Sequence, residues 1–133
     1  MIVDTSALIA ILKNEPEAEA FSNAIEAAKF VRISAASYLE SRIVVGQYKD
    51  PILSARLEEI LDNPGLQIEP VTTAQAKIAW EAYRDYGKAS GHPANLNFGD
   101  CFTYALARDK REPLLYKGDN FVHTDLRSVL QQP

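Results

Sequence analysis

Short apolar segments alternate with longer segments of helical period along the whole chain. The apolar runs have the length of buried strands, and the longer segments repeat apolar residues every three to four positions, as one face of a helix does. Strands are predicted at residues 2–3, 31–34, 66–71 and 113–116, with 128–130 as a short final strand or coil. Helices are predicted at residues 7–12, 16–28, 35–48, 51–62, 73–87 and 98–108. This alternation predicts an α/β fold whose small, mostly parallel sheet has helices on both faces.

Composition is that of an ordinary globular protein, with 47% hydrophobic and 24% charged residues. No repeat, low-complexity tract or linker interrupts the 133 residues, so we expect a single domain spanning residues 1–133. No apolar run approaches the roughly 20 residues needed to cross a bilayer, and no signal peptide opens the chain. We therefore expect a cytoplasmic protein that does not enter a membrane.

The number of cysteines and the net charge limit the kinds of functional site that this chain can have. The single cysteine, Cys101, excludes an internal disulfide and a cysteine-based zinc site. The net charge of −4 argues against a generic nucleic-acid binder, because such proteins are usually basic. Bound divalent cations, or basic groups supplied by a partner, would change that balance, so charge alone does not decide the partner.

Four acidic residues stand at the ends of predicted elements, and they are Asp4, Glu40, Asp100 and Asp119. Element ends in an α/β fold can converge on one edge of the sheet, which is where ligands bind. Carboxylates brought together there repel one another unless a divalent cation neutralises them. The pattern predicts a cation held by oxygen ligands, and with it phosphate chemistry.

The first two acids also have a purely structural interpretation. Asp4 either ends a buried strand at a ligand site or caps the helix that follows. Glu40 follows Ser37 by the three residues of a capping box, in which case it folds back on the backbone. If the helix begins nearer Ser34, Glu40 lies one turn in and projects into a site. Spacing leaves these alternatives open.

The later acids are equally ambiguous when taken one at a time. Asn97 can be an N-cap with Asp100 as the third helical residue, where a carboxylate also interacts favourably with the helix dipole. Gly99 removes a side chain beside Asp100 and lets a backbone or a ligand approach closely. Asp119 lies in a Gly-Asp-Asn sequence, which is an ordinary turn composition.

Four segments, in order, resemble the PIN-domain toxins of VapBC toxin–antitoxin modules. They are the opening Met-Ile-Val-Asp-Thr-Ser-Ala-Leu, Ser-Tyr-Leu-Glu at 37–40, Asn-Phe-Gly-Asp-Cys at 97–101 and Leu-Leu-Tyr-Lys-Gly-Asp-Asn-Phe at 114–121. The resemblance implies a compact α/β/α sandwich and a Mg²⁺- or Mn²⁺-dependent endoribonuclease that hydrolyses RNA. It also implies a homodimer and inhibition by a cognate VapB-type antitoxin.

Carried over by position, the resemblance assigns the site residues. Asp4 and Asp100 correspond to the principal metal ligands, and Glu40 corresponds to the acid on the third helix. Asp119 corresponds to the late acid of the family. Many members have an extra residue between that acid and the phenylalanine, so Asn120 can take part of its role. All four acids are thus candidate catalytic and metal-binding residues.

Further residues can support the site or grip the substrate. Ser6 resembles a hydroxyl that supports the first carboxylate, although capping the helix explains it equally well. Lys13, Lys117 and the polar loop at 88–96 are candidates for RNA contact, with solvated surface charge as the alternative. His92 and His123 lie outside the acidic motifs and are expected to be loop or surface residues.

Two other kinds of protein compete with this interpretation. A haloacid-dehalogenase-like phosphatase needs a second Asp where this chain has Ser6. A catalytically degenerate PIN-like module that only binds protein or RNA is the non-enzymatic alternative. The presence of all four acids argues against degeneration.

Overall fold

A parallel four-stranded sheet is the centre of the computed structural model, which describes residues 1–130. The strands are β1 (Ile2–Val3), β2 (Val31–Ser34), β3 (Leu66–Glu69) and β4 (Leu114–Leu115), in the order β3-β2-β1-β4. All neighbouring pairs are parallel. The domain predicted for 1–133 extends three residues beyond the described part, at 131–133.

Within residues 1–130, six α-helices connect the strands, and one 3₁₀ turn follows β4. They are α1 (Thr5–Leu12), α2 (Ala18–Ala27), α3 (Ala35–Gln47), α4 (Pro51–Leu61), α5 (Thr73–Tyr86), α6 (Phe98–Lys110) and the 3₁₀ turn Phe121–His123. Every strand and helix predicted before residue 120 is present, so the apolar periodicity of the sequence is sufficient to locate them.

Several predicted boundaries are wrong by one or two residues. The second helix begins at Ala18 rather than at Pro16, because the chain first reverses at Asn14, where φ is 51°. The third strand ends at Glu69, since Pro70 has no N–H with which to continue the ladder. The possible final strand is reduced to one parallel bridge between Leu114 and Ser128.

Both faces of the sheet are buried, which confirms the predicted sandwich. Successive strand residues point to opposite faces. Val3 and Leu115 belong to the hydrophobic cluster formed with α1, α2, α3 and α4, and Ile2 and Leu114 belong to the cluster formed with α5 and α6. The register pairs Ile2 with Leu114 and Val3 with Leu115, so paired residues of β1 and of the edge strand β4 belong to the same cluster.

The carboxyl ends of β1, β2 and β4 lead directly into segments that carry acidic motifs. Asp4 follows β1, α3 follows β2 without an intervening loop, and Lys117 lies two residues beyond β4. These segments therefore begin at one edge of the sheet. Within residues 1–130, no helix is both long enough and apolar enough to cross a membrane.

Candidate active site

Asp4 is a buried carboxylate at the point where β1 becomes α1. Its backbone is extended, and its Oδ2 accepts hydrogen bonds from Ser6 N at 3.0 Å and from Ser6 Oγ at 2.6 Å. The Ser6 hydroxyl in turn accepts a hydrogen bond from the N–H of Lys117 at 3.0 Å. This bond holds the segment after β4 beside the start of α1. Asp4 is thus a helix cap and also a fixed acid at the sheet edge, so the two interpretations of its sequence position are compatible.

A chain of buried hydroxyl groups holds the other oxygen of Asp4. Thr103 Oγ1 donates to Asp4 Oδ1 at 2.7 Å, and Ser37 Oγ lies 3.1 Å from Thr103 Oγ1. Because the single proton of Thr103 is used on Asp4, Ser37 must be the donor in the second bond. From the sequence, Ser37 was named only as a possible capping residue for Glu40, and Thr103 was not named. A usable signal exists, since Ser37 and Thr103 lie three residues from Glu40 and Asp100 on the same helices.

Glu40 lies one and a half turns into α3 because that helix is capped by Ser34, whose side chain accepts from Ala36 N at 3.2 Å. The capping box between Ser37 and Glu40 is therefore not formed, and Glu40 reaches α6 instead. A Cβ built at Gly99 would overlap Oε2 of Glu40 and lie 3.1 Å from its Cδ. The close approach expected at Gly99 is made by this carboxylate.

The environment of Glu40 favours its protonated form. Burial raises the pKa of the carboxyl group above its usual value of 4.5, and a hydrogen bond from Thr5 partly offsets that effect. The negative charges of Asp4 and Asp100 raise the pKa further. All three acids therefore lie close enough together for their charges to interact.

Asp100 is the third residue of α6 and forms a complete capping box with Asn97. Asn97 N donates to Asp100 Oδ2 at 2.9 Å, and Asp100 N donates to Asn97 Oδ1 at 2.8 Å. Asn120 Nδ2 also donates to Asp100 Oδ2, at 3.2 Å. Within residues 1–130, Oδ1 of Asp100 has no hydrogen-bond donor, so this oxygen is available to a ligand.

Burial is the main reason that the pKa of Asp100 is raised above 3.8. The backbone of Asn97 lowers the pKa, the negative charge of Asp4 raises it, and the amide of Asn120 and the positive charge of Lys88 lower it. The balance is a carboxylate whose negative charge is disfavoured by its surroundings. A cation at this point would relieve that penalty.

The fourth predicted acid differs from the other three. Asp119 is exposed, and its side chain makes no hydrogen bond or ion pair to any of residues 1–130. The neighbouring Asn120 makes the contact with Asp100. A role for Asp119 at the site stays a prediction, and the alternative of Asn120 taking part of that role has a direct contact in its favour.

The two histidines lie outside this acidic cluster. His92 Nδ1 accepts from the N–H of Ala94 at 3.1 Å, and its ring stacks edge-on against Tyr86 with centroids 4.8 Å apart. His123 is exposed in the 3₁₀ turn. These positions agree with the expectation of loop and surface histidines.

The donor set formed by Asp4, Glu40 and Asp100 fits a hard divalent cation, because all of its ligand atoms are carboxylate oxygens. The raised pKa values of Glu40 and Asp100 are a second sign of fit, since they arise partly from repulsion that such a cation would remove. In the described part of the chain, no three His, Cys, Asp or Glu side chains already surround a common point. Binding a cation would therefore require these side chains to turn toward one another.

Comparison with known proteins identifies the family. The PIN domain family model matches residues 1–126. The chain is 52% identical over 132 residues to ribonuclease VapC28 of Mycobacterium tuberculosis, covering 99% of each chain. It belongs to the PIN-domain family, among the VapC ribonucleases. Ribonucleases of this family generally depend on a divalent metal.

Solved structures support the fold of this PIN domain. VapC20 of Mycobacterium tuberculosis, described as a toxin that cleaves the sarcin–ricin loop, superposes with a TM-score of 0.76 at 16% identity, covering 94% of this chain and 95% of that one. A toxin–antitoxin complex from Klebsiella pneumoniae gives a TM-score of 0.67 at 20% identity, with 90% and 88% covered. At these identities the likeness concerns the fold alone.

Proposed function

We propose that this PIN domain is a Mg²⁺- or Mn²⁺-dependent endoribonuclease and the toxin component of a type II toxin–antitoxin module, with residues 1–133 forming one domain. The observation that carries the proposal is the meeting of Asp4, Glu40 and Asp100 at one edge of the sheet, where each carboxylate is close enough to affect another's charge. Membership of the VapC ribonucleases is the reason for proposing cleavage of RNA as the reaction.

Each acid has a distinct place in the proposal. Asp4 and Asp100 hold the cation, and Glu40 completes the set from α3. Asp119 and Asn120 both remain candidates for the fourth position. A divalent cation bound there supplies positive charge for the scissile phosphate and lowers the pKa of an attacking water.

Hydrogen bonds within the chain hold the side chains of Asp4 and Asp100 in place. Both oxygens of Asp4 are fixed by hydroxyl donors, Ser6 on one side and Thr103 on the other. Asp100 is fixed through one oxygen only, by its capping box and by Asn120, which leaves the other oxygen for a ligand. Asp4 is thus held in place before a ligand arrives, whereas the other carboxylates must still turn to meet a shared cation.

The test is cleavage of RNA by the wild type and by Asp4→Asn and Asp100→Asn, with Mg²⁺, with Mn²⁺ and with a chelator. Asp62→Asn is the matched control, because Asp62 is exposed at the end of α4. We expect cleavage by the wild type and the control only when the metal is present, and loss of at least tenfold in both site variants. Equal cleavage by all proteins would contradict the site. Absence of cleavage by the wild type on every RNA offered, with intact folding by circular dichroism, would favour the degenerate binding module.

We also propose a homodimer formed through an exposed apolar surface beside Glu40. Leu39 and Ile43 on α3 and Phe98 on α6 are 58%, 51% and 77% exposed, and Phe98 stacks on Phe102 with centroids 4.9 Å apart. Exposed apolar surface of this kind marks an interaction site. Ile43→Glu should convert a dimer into a monomer in light scattering, and a wild type that is monomeric at high concentration would contradict the proposal.

The second proposed partner is a VapB-type antitoxin. Its basis is membership of the VapC ribonucleases, together with the fold shared with a chain of a toxin–antitoxin complex. The protein encoded by the adjacent small reading frame should abolish RNA cleavage when added in equimolar amount. Cleavage that persists in a mixture shown by gel filtration to form no complex would contradict that assignment.

A further inference from the structure

RNA carries a negatively charged phosphate at every nucleotide, and the side chains of the candidate site are carboxylates, which are negatively charged as well. Asp4, Glu40 and Asp100 repel that backbone, and the whole chain carries a net charge of −4. A bound divalent cation would offset this at the scissile phosphate, but contacts with the neighbouring phosphates of RNA are usually made by lysine and arginine side chains, so we expect a basic residue close to the acids. This step rests on the proposed function.

Both lysines singled out from the sequence are engaged elsewhere. Lys117 Nζ forms ion pairs with Glu15 and, at 3.0 Å, with Glu17, so two carboxylates neutralise it. Lys13 Nζ lies 4.4 Å from the centre of the Tyr48 ring, at the end of α1 remote from Asp4. These contacts make Lys117 a link between the α1–α2 turn and the segment after β4.

Lys88 lies in the segment between α5 and α6, and its side chain is exposed. Its N–H donates to the carbonyl oxygen of Leu96 at 3.0 Å, and Leu96 directly precedes Asn97, the residue that caps Asp100. The positive charge of Lys88 lowers the pKa of Asp100, in keeping with that proximity. Within residues 1–130, Lys88 has no ion-pair partner.

The backbone that carries Lys88 is held by several bonds. Gly87 forms a parallel bridge with Leu96, and its carbonyl oxygen accepts from Ser90 N at 3.0 Å and from Ser90 Oγ at 2.7 Å. A Cβ at Gly87 would overlap the carbonyl oxygen of Tyr83, so a glycine is needed where the chain leaves α5. The base of the Lys88 side chain is therefore fixed with respect to α6.

We propose that Lys88 is a substrate-binding residue that contacts an RNA phosphate beside the carboxylate site. A lysine is a flexible point charge and suits contact with the backbone rather than with base edges. Lys88 thus provides affinity and places the strand near Asp100, whereas discrimination between RNA sequences arises elsewhere.

The experiment measures binding of a single-stranded RNA oligonucleotide as a function of salt, in the Asp4→Asn background so that the RNA stays intact. Lys88→Ala is compared with Lys88→Arg, which keeps the charge. Lys110→Ala is the matched control, because Lys110 is exposed at the opposite end of α6, about 15 Å from Asp100 at 1.5 Å per residue. Cleavage by proteins carrying the same Lys88 and Lys110 substitutions with Asp4 intact is followed in parallel.

Lys88→Ala should weaken RNA binding several-fold and reduce the slope of log affinity against log salt by about 0.7, the share of one phosphate contact on a single strand. Lys88→Arg should restore the slope, and Lys110→Ala should leave it unchanged. In the cleavage assay, KM should rise more than kcat falls. An unchanged slope for Lys88→Ala, or an equal change for Lys110→Ala, would overturn the assignment of Lys88. Failure of the wild type to cleave any RNA would instead contradict the proposed function.

Discussion

Thr103 donates a hydrogen bond of 2.7 Å from its Oγ1 to Oδ1 of Asp4, joining residues 99 positions apart in the chain. Both side chains are buried. The bond fixes α6, which carries Asp100, against the end of β1, which carries Asp4. It therefore sets the spacing of the two acids proposed to share a cation.

Substitutions at Thr103 should show how much this hydrogen bond contributes to stability and how much it contributes to metal binding. Thr103→Val keeps the shape but leaves a buried carboxylate oxygen without its donor, which costs about 1–3 kcal/mol of stability. Weaker Mn²⁺ binding by calorimetry should accompany that loss, while Thr103→Ser, which keeps the hydroxyl, should recover most of both. If Thr103→Val matched the wild type in metal affinity, Thr103 would have no part in positioning Asp4.

Gly99 offers a test that separates an effect on activity from an effect on stability. Alanine in a helix is favoured over glycine by up to about 1 kcal/mol, but here its Cβ would displace the Glu40 carboxylate. Gly99→Ala should therefore reduce RNA cleavage and metal affinity with little loss of stability. Adding Glu40→Asp, which shortens the side chain, should recover part of the metal affinity in the double variant if the overlap is the cause. Full activity in Gly99→Ala would show that the position of Glu40 does not matter.

The raised pKa values of Glu40 and Asp100 predict how stability depends on pH without metal. Both groups hold protons more tightly folded than unfolded, so the folded state binds more protons above the ordinary values of 3.8 and 4.5. Their contribution to the free energy of unfolding should fall as pH rises through that range and through the raised pKa values. Urea denaturation in chelator should give a steeper fall for the wild type than for Glu40→Gln.

Divalent metal should reverse that trend, because the ligands must lose their protons to bind it. Stabilisation by Mn²⁺, measured as the rise in melting temperature, should increase as pH rises across the same range. A rise of the same size at every pH would contradict involvement of these carboxyl groups.

Asp119 and Asn120 can be told apart by paired substitutions. Asn120→Ala removes the amide that donates to Asp100 and should weaken Mn²⁺ binding, and Asn120→Asp should strengthen it by adding a fourth carboxylate. Asp119→Asn is the comparison, and its effect on RNA cleavage decides whether the predicted late acid takes part. A larger loss of metal affinity in Asp119→Asn than in Asn120→Ala would indicate that Asp119, and not Asn120, occupies the fourth position of the site.

Sequence pattern was sufficient for the order of elements, because burial of each strand and helix face imposes a period that local residues reveal. The sequence pattern could not show whether each acidic residue caps a helix or binds a ligand. Asp100 turned out to be part of a capping box and also a neighbour of Asp4 and Glu40. For Glu40 the choice depended on Ser34 capping α3, which shifts the helix start by a few residues.

Long-range contacts explain what the sequence did not predict. The bonds of Thr103 to Asp4 and of Ser37 to Thr103 join residues 99 and 66 positions apart. The spacing of three residues from Glu40 and Asp100 places both hydroxyls on the site's side of their helices, but it does not identify the partner of either one. The engagement of Lys117 by Glu15 is similarly remote, at 102 positions. Only the folded sheet edge brings these groups together.

The central claim is that acids from separate parts of the chain hold a common cation. Crystals grown with Mn²⁺ and measured for anomalous scattering test this claim most directly. We predict a manganese peak with oxygen atoms of both Asp4 and Asp100 at roughly 2.0–2.6 Å, the range of carboxylate bonds to divalent cations. A fully occupied peak elsewhere, or no peak at this edge of the sheet at saturating Mn²⁺, would contradict it.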